Sequence, residues 1–183
     1  TLTPPESKGI AYMRWGYQPN ITKPPEQWVY LPELKKVRRV SQRDPNDMTW
    51  GLTDEDFRVR QLHEDDHALV ETKKEGLKTT YVVESKPKIA SVYSRWVTEY
   101  VAPNGSWFGC NRTGVRYYDK GNRLLKDVSY KWSEVDGVWV WDEVTIENSH
   151  DLSVVSYRNS DVKVNVGLSD ETFTERQLRR GPP

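Results

Sequence analysis

The string His63-Glu64-Asp65-Asp66-His67 has the H-E-x-x-H form. On a helix it would set two imidazoles one turn apart for zinc, with the carboxylate polarising a bound water. That chemistry uses a buried helix whose two middle positions are uncharged. Here both are Asp, and Lys73-Lys74-Glu75-Gly76 follows soon after. The segment therefore reads as a solvated turn entering a strand, and no metal or cofactor is expected. A zinc hydrolase using His63, Glu64 and His67 ranks last among the readings.

Other reactive groups are as poorly placed. Asp54, Glu55 and Asp56, like Glu64, Asp65 and Asp66, could supply an acid/base pair for glycoside cleavage. Both clusters lie in loop or helix-start sequence, where acids cap and solubilise. Ser106 and Cys110 fall in the turn-rich NGSWFGC stretch, with neither a nucleophile elbow nor a nearby His. No catalytic residue is assigned, and the chain reads as a binder.

Binding residues are more plentiful. The chain holds 8 Trp and 10 Tyr against 3 Phe, and Trp and Tyr join a flat apolar body to a polar tip suited to half-wet grooves. Many recur at period two: Met13, Trp15 and Tyr17; Trp28 and Tyr30; Trp96 and Tyr100; Val128, Tyr130 and Trp132; Trp139 and Trp141. Residues so spaced share a strand face. They either line one groove or pack as core beneath short helices. The candidate lining is Met13, Trp15, Trp28, Tyr30, Trp96, Tyr100, Tyr130 and Trp132. Lys35, Lys36, Arg38 and Arg39 make the densest basic patch. It either meets anionic headgroups or a partner's acidic lip, or guards a strand edge. Arg39 has the further option of crossing the sheet to a carboxylate.

The elements that position these residues are nearly all strands. Residues 8–17 alternate, and residues 27–31 alternate until Pro32 removes a ladder donor. Residues 37–40 resume the strand. Thr53 can cap a short helix over the following acids. Residues 67–72 and 77–85 form a hairpin. Strands are then expected over 93–102, 115–119, 123–132, 138–147, 152–157 and 162–166. Asp119-Lys120-Gly121-Asn122 and Asp136-Gly137 supply turns between them, and neighbours joined so closely must be antiparallel. A closing helix is expected over 170–180. The sum is about ten strands, enough for a sheet to curl.

Composition sets further bounds. A chain of 183 residues fits a single domain, 1–183. Its 27 basic and 27 acidic residues cancel, whereas a nucleic-acid binder would carry a basic excess. One Cys permits no internal disulfide, and no apolar run approaches the ~20 residues of a membrane-spanning helix. The chain opens at Thr1 without Met and is expected to be a mature product or a fragment.

Residues 28–34 (WVYLPEL) followed by Val37-Arg38-Arg39-Val40 resemble the W-x-Y-L-P-x-L-x-x-V-R-R-I signature of outer-membrane lipoprotein-sorting proteins with the LolA/LolB-like fold. Residues 48–57 (MTWGLTDEDF), the Tyr118-Asp119-Lys120-Gly121 turn and residues 165–174 (NVGLSDETFT), then Leu178, are similar to that family's later segments, in order. Trp50-Gly51-Leu52 departs from the family's Gly-Ser-Asp-Phe. The resemblance implies a mainly β fold, a curved antiparallel sheet forming an unclosed half-barrel with a few short helices, with an upstream helix and first strands preceding this chain. It implies a non-enzymatic periplasmic protein, associated with the outer membrane, that holds lipid or lipoprotein acyl chains in an apolar cavity. The partners implied are an inner-membrane transporter of the resistance-nodulation-division (RND) type or an outer-membrane acceptor. An extracellular carbohydrate-binding β-sandwich is the alternative, since Trp and Tyr also stack on sugars.

Overall fold

The computed structural model describes residues 8–17, 23, 25–40, 48–49, 52–57, 60–103, 105 and 109–180. The chain divides into two compact units, residues 1–44 with 165–183, and residues 45–164.

In the first unit β1 (Ala11–Trp15), β2 (Glu26–Leu31) and β3 (Lys36–Val40) form an antiparallel sheet in that order. Pro32 ends β2 and opens a 3-10 turn, Pro32–Leu34. Lys35 then takes a left-handed φ of 48°, and its N–H donates to the Pro32 carbonyl at 3.1 Å. Met13 faces Trp28 across β1 and β2, and Trp28 faces Arg39 across β2 and β3. Met13 and Trp28 are buried, and Trp15 packs edge-on to Trp28 with ring centres 5.0 Å apart. The closing helix expected over 170–180 is split into a 3-10 turn, Asp170–Phe173, and α1 (Glu175–Arg180). Thr174 causes the break. Its Oγ1 accepts the Gln177 N–H at 3.3 Å and so caps α1. The helix lies against all three strands.

The second unit pairs the short β4 (Met48–Thr49) and β5 (Leu52–Thr53) and then builds a seven-stranded antiparallel meander. Its strands are β6 (Asp65–Glu75), β7 (Lys78–Pro87), β8 (Arg95–Ala102), β9 (Asn111–Tyr118), β10 (Leu124–Val135), β11 (Val138–Asn148) and β12 (Val154–Arg158). Order in space follows order in sequence, so β6 and β12 are the two edges and the sheet stays unclosed. Two-residue turns set the register. Asp136 and Gly137 both have positive φ, 49° and 77°, which is the type I′ geometry that matches strand twist.

Successive pairings align side chains in rows across the sheet. One row runs Leu69, Val83, Thr98, Val115, Val128, Ile146, Val155. Val115, Val128 and Ile146 of this row, with Tyr93, Trp96 and Val144, form the buried core. The neighbouring row runs His67, Ser85, Trp96, Tyr117, Lys126, Asn148. Two expectations need correction here. Residues 162–166 form no strand, because Asp161 and Asn165 both take φ of 54° and break the extended path. The strand expected from Val115 begins earlier, at Asn111. The fold is otherwise the expected class: mainly β, antiparallel, unclosed, with short helices.

Candidate ligand-binding cavity

A cavity of about 350 Å³ opens on the second unit's sheet. Its lining includes His67, Ser85, Trp96 and Tyr117 from one row, Thr98 from the row beside it, and Tyr100 and Arg112 from the row beyond. Facing side chains come from the strap formed by the 3-10 turns Asp54–Phe57 and Leu62–Glu64, with Arg60 between them.

Charge holds this strap to the sheet. Asp56 accepts the Thr53 backbone N–H at 2.7 Å, the Thr53 hydroxyl at 2.9 Å and the Tyr93 hydroxyl at 2.9 Å. It is also ion-paired with Lys126, whose side chain is 0% exposed. The ammonium lies 5.1 Å from the Tyr93 ring centre and 4.8 Å from that of Tyr117. Desolvation pulls the Lys126 pKa down, and the Asp56 carboxylate opposes that pull. Burial, with Asp56 nearby, drives the Tyr93 phenol well above its ordinary range. Arg60 binds Asp65, with Nε 2.9 Å from Oδ2, and also pairs with Glu55 while lying 4.8 Å over the Trp96 ring. Glu55 in turn accepts the Ser91 hydroxyl at 2.6 Å and the Val92 N–H at 2.9 Å.

These contacts correct the reading of the acidic clusters as caps and solvated surface. Asp56 does accept the Thr53 N–H, yet it is the buried partner of Lys126. Asp65 is buried under Arg60. Sequence reasoning also passed over Arg60, Arg112 and Tyr117. The available signal was strand phase, since Lys126 shares a face with Val128 and Tyr130.

The H-E-x-x-H string does cross from a turn into a strand. His63 and Glu64 end the 3-10 turn, and His67 belongs to β6. Glu64 caps the turn by accepting the Gln61 N–H at 2.9 Å. Both His67 nitrogens are engaged, Nδ1 with Ser85 Oγ at 2.8 Å and Nε2 with the Leu62 carbonyl at 3.2 Å. Ser106 lies outside the described residues. Cys110 is partly buried, which raises its thiol pKa.

The proposed lining residues divide between the units. Trp96 and Tyr100 line the cavity. Tyr130 and Trp132 stack on β10 at 6.2 Å and meet Arg112, whose guanidinium lies 4.4 Å over Tyr130 and whose carbonyl accepts the Trp132 indole N–H at 2.6 Å. Met13, Trp15, Trp28 and Tyr30 belong to the other unit, where Trp15, Tyr17 and Phe173 help to line a groove of about 630 Å³. In the basic patch Arg39 does reach a carboxylate, pairing with Glu26, and lies 6.0 Å over Trp28. Lys35, Lys36 and Arg38 are exposed.

The second unit is thus an unclosed antiparallel sheet carrying a cavity lined by aromatic and charged side chains. A family model described as "-like: Uncharacterized protein" matches residues 1–180, and the chain belongs to that family. Similar solved structures include a DUF1329 family protein from Desulfovibrio piger, 27% identical over 96% of this chain and 73% of that one, with a TM-score of 0.79. A Vibrio parahaemolyticus domain named for outer membrane lipoprotein sorting is 23% identical over 97% and 74%, with a TM-score of 0.76. A LolA superfamily protein from Nitrosomonas europaea is 21% identical over 83% and 67%, with a TM-score of 0.56. No curated protein matches the chain. The resemblance drawn from the sequence therefore holds at the level of the fold.

Proposed function

We propose that the chain is a non-enzymatic periplasmic binder and carrier of lipid or lipoprotein acyl chains. The observation that carries this reading is the aromatic floor of the cavity, with Trp96, Tyr100 and Tyr117 on two adjoining strands of an unclosed sheet. Hydrocarbon leaving water for such a surface gains ~0.8 kcal/mol per buried methylene. The strap is held over the sheet by ion pairs and hydrogen bonds, not by strand pairing. The groove beside Trp15 offers a second apolar surface. Exposed Lys35, Lys36 and Arg38 suit anionic headgroups or the acidic lip of a partner, either an inner-membrane RND-type transporter or an outer-membrane acceptor. The names carried by the Vibrio and Nitrosomonas structures support this assignment.

Native mass spectrometry after incubation with fatty acids and phospholipids tests it. Acyl adducts are expected, together with a change in Trp emission that is lost in W96F. A folded protein that takes up no acyl ligand contradicts it. A second reading, saccharide binding, draws on Asp65, His67 and Ser85 standing among the aromatics. Titration with oligosaccharides would favour it if they bind and acyl ligands do not.

A further inference from the structure

Arg112 differs from the other cations of the cavity in having no carboxylate partner among the described residues. The three carboxylates that line the space are already committed, Glu55 and Asp65 to Arg60, and Asp56 to Lys126. Arg112 projects from β9 opposite Tyr100, with the Tyr130 ring against its face. Stacking occupies the flat side of a guanidinium and leaves its edge, where the N–H donors lie. That fork fits the paired oxygens of a carboxylate or phosphate. Tyr100 and Tyr117 line the same space, and burial keeps the Tyr117 phenol protonated as a donor far into alkali.

We infer that Arg112, with Tyr100 and Tyr117, is the receptor for an anionic head, carboxylate or phosphate, on the ligand of this cavity. The tail of that ligand rests on the acyl-binding reading above, but the head does not. A volume of about 350 Å³ is near the lower end for small-ligand sites, which fits a head and part of one chain. Protein charges around the cavity already balance, with three carboxylates against Arg60, Lys126 and Arg112. The gain from an anion is therefore local to Arg112 and weakens with added salt.

Two ligands with the same tail, palmitate and hexadecanol, isolate the head. Inorganic phosphate alone isolates the anion. Affinities are measured by titration calorimetry at low salt for the wild type, Arg112→Met and Arg112→Lys. Trp132 bonds to the Arg112 carbonyl, so both variants keep that contact. Palmitate is expected to bind about tenfold tighter than hexadecanol to the wild type. R112M should bind the two equally, with hexadecanol unchanged, and R112K should regain part of the preference. Equal binding of the two by the wild type, or a preference that survives in R112M, overturns the head assignment and leaves acyl binding intact. Phosphate binding that needs Arg112, without uptake of either chain, keeps the anion site, makes a small anion its ligand and removes the lipid reading. Binding of none of the three overturns both.

Discussion

Lys126 carries a charge with no access to water, answered by Asp56 and two tyrosine rings. Removing one member of such a pair strands the other, at a cost of ~3–5 kcal/mol. K126M and D56N are each expected to lose stability on that scale in urea denaturation. The double variant should lose less than the sum, because no buried charge is then left alone. The phenols give a pH dependence. Burial raises the pKa of Tyr93, Tyr117 and Tyr130, and that of Tyr157 to about 12, against an ordinary value of 10.0. A raised folded pKa gives stability that is complete below the unfolded value and lost as pH climbs through the folded one. Lys126, with its pKa lowered, works in the opposite direction, but it is one group against four. Stability should therefore fall from about pH 10 upward, with delayed tyrosine ionisation at 295 nm, and Y157F should remove the component near pH 12. At this scale the sequence was half legible. Strand phase puts Lys126 on the face of Val128 and Tyr130, but nothing local points to a carboxylate seventy residues away.

At the level of elements, the turns were legible because their chemistry is local. Asp136-Gly137 closes β10 and β11 with both φ angles positive. A methyl group at Gly137 would meet nothing within 4 Å, so G137A tests backbone strain alone and is expected to cost ~1 kcal/mol. Residues 162–166 alternate like a strand, yet left-handed Asp161 and Asn165 interrupt them. That choice depends on where the chain must turn, which periodicity does not encode. The strap was legible as a short turn after Thr53, though the Thr53 hydroxyl donates to Asp56, and its attachment was not legible, since Arg60 reaches Glu55, Asp65 and the Trp96 ring at once. R60Q should speed amide exchange through residues 54–64 while leaving β8 to β10 protected. Uniform exchange across the unit in both proteins would show that Arg60 does not hold the strap.

For the whole molecule, the aromatic excess and the ordered motifs led to the right class of fold. Period-two spacing identifies which residues share a face, but not which sheet bears that face. Trp28 and Trp96 have similar strand contexts and both are buried, yet Trp28 belongs to the first unit, whereas Trp96 belongs to the second and also lines its cavity. The sequence suggested an apolar hollow, whereas Arg60, Asp65 and Arg112 line the cavity beside its aromatics. Such a mixture fits a ligand with a polar head as well as a tail. The most direct test is native mass spectrometry of the folded chain with a fatty acid, comparing the wild type with a W96A/Y100A variant whose fold is checked by circular dichroism. The account predicts one-to-one acyl adducts in the wild type and their loss in the variant. Adducts of equal abundance in both, or none in either, would contradict it.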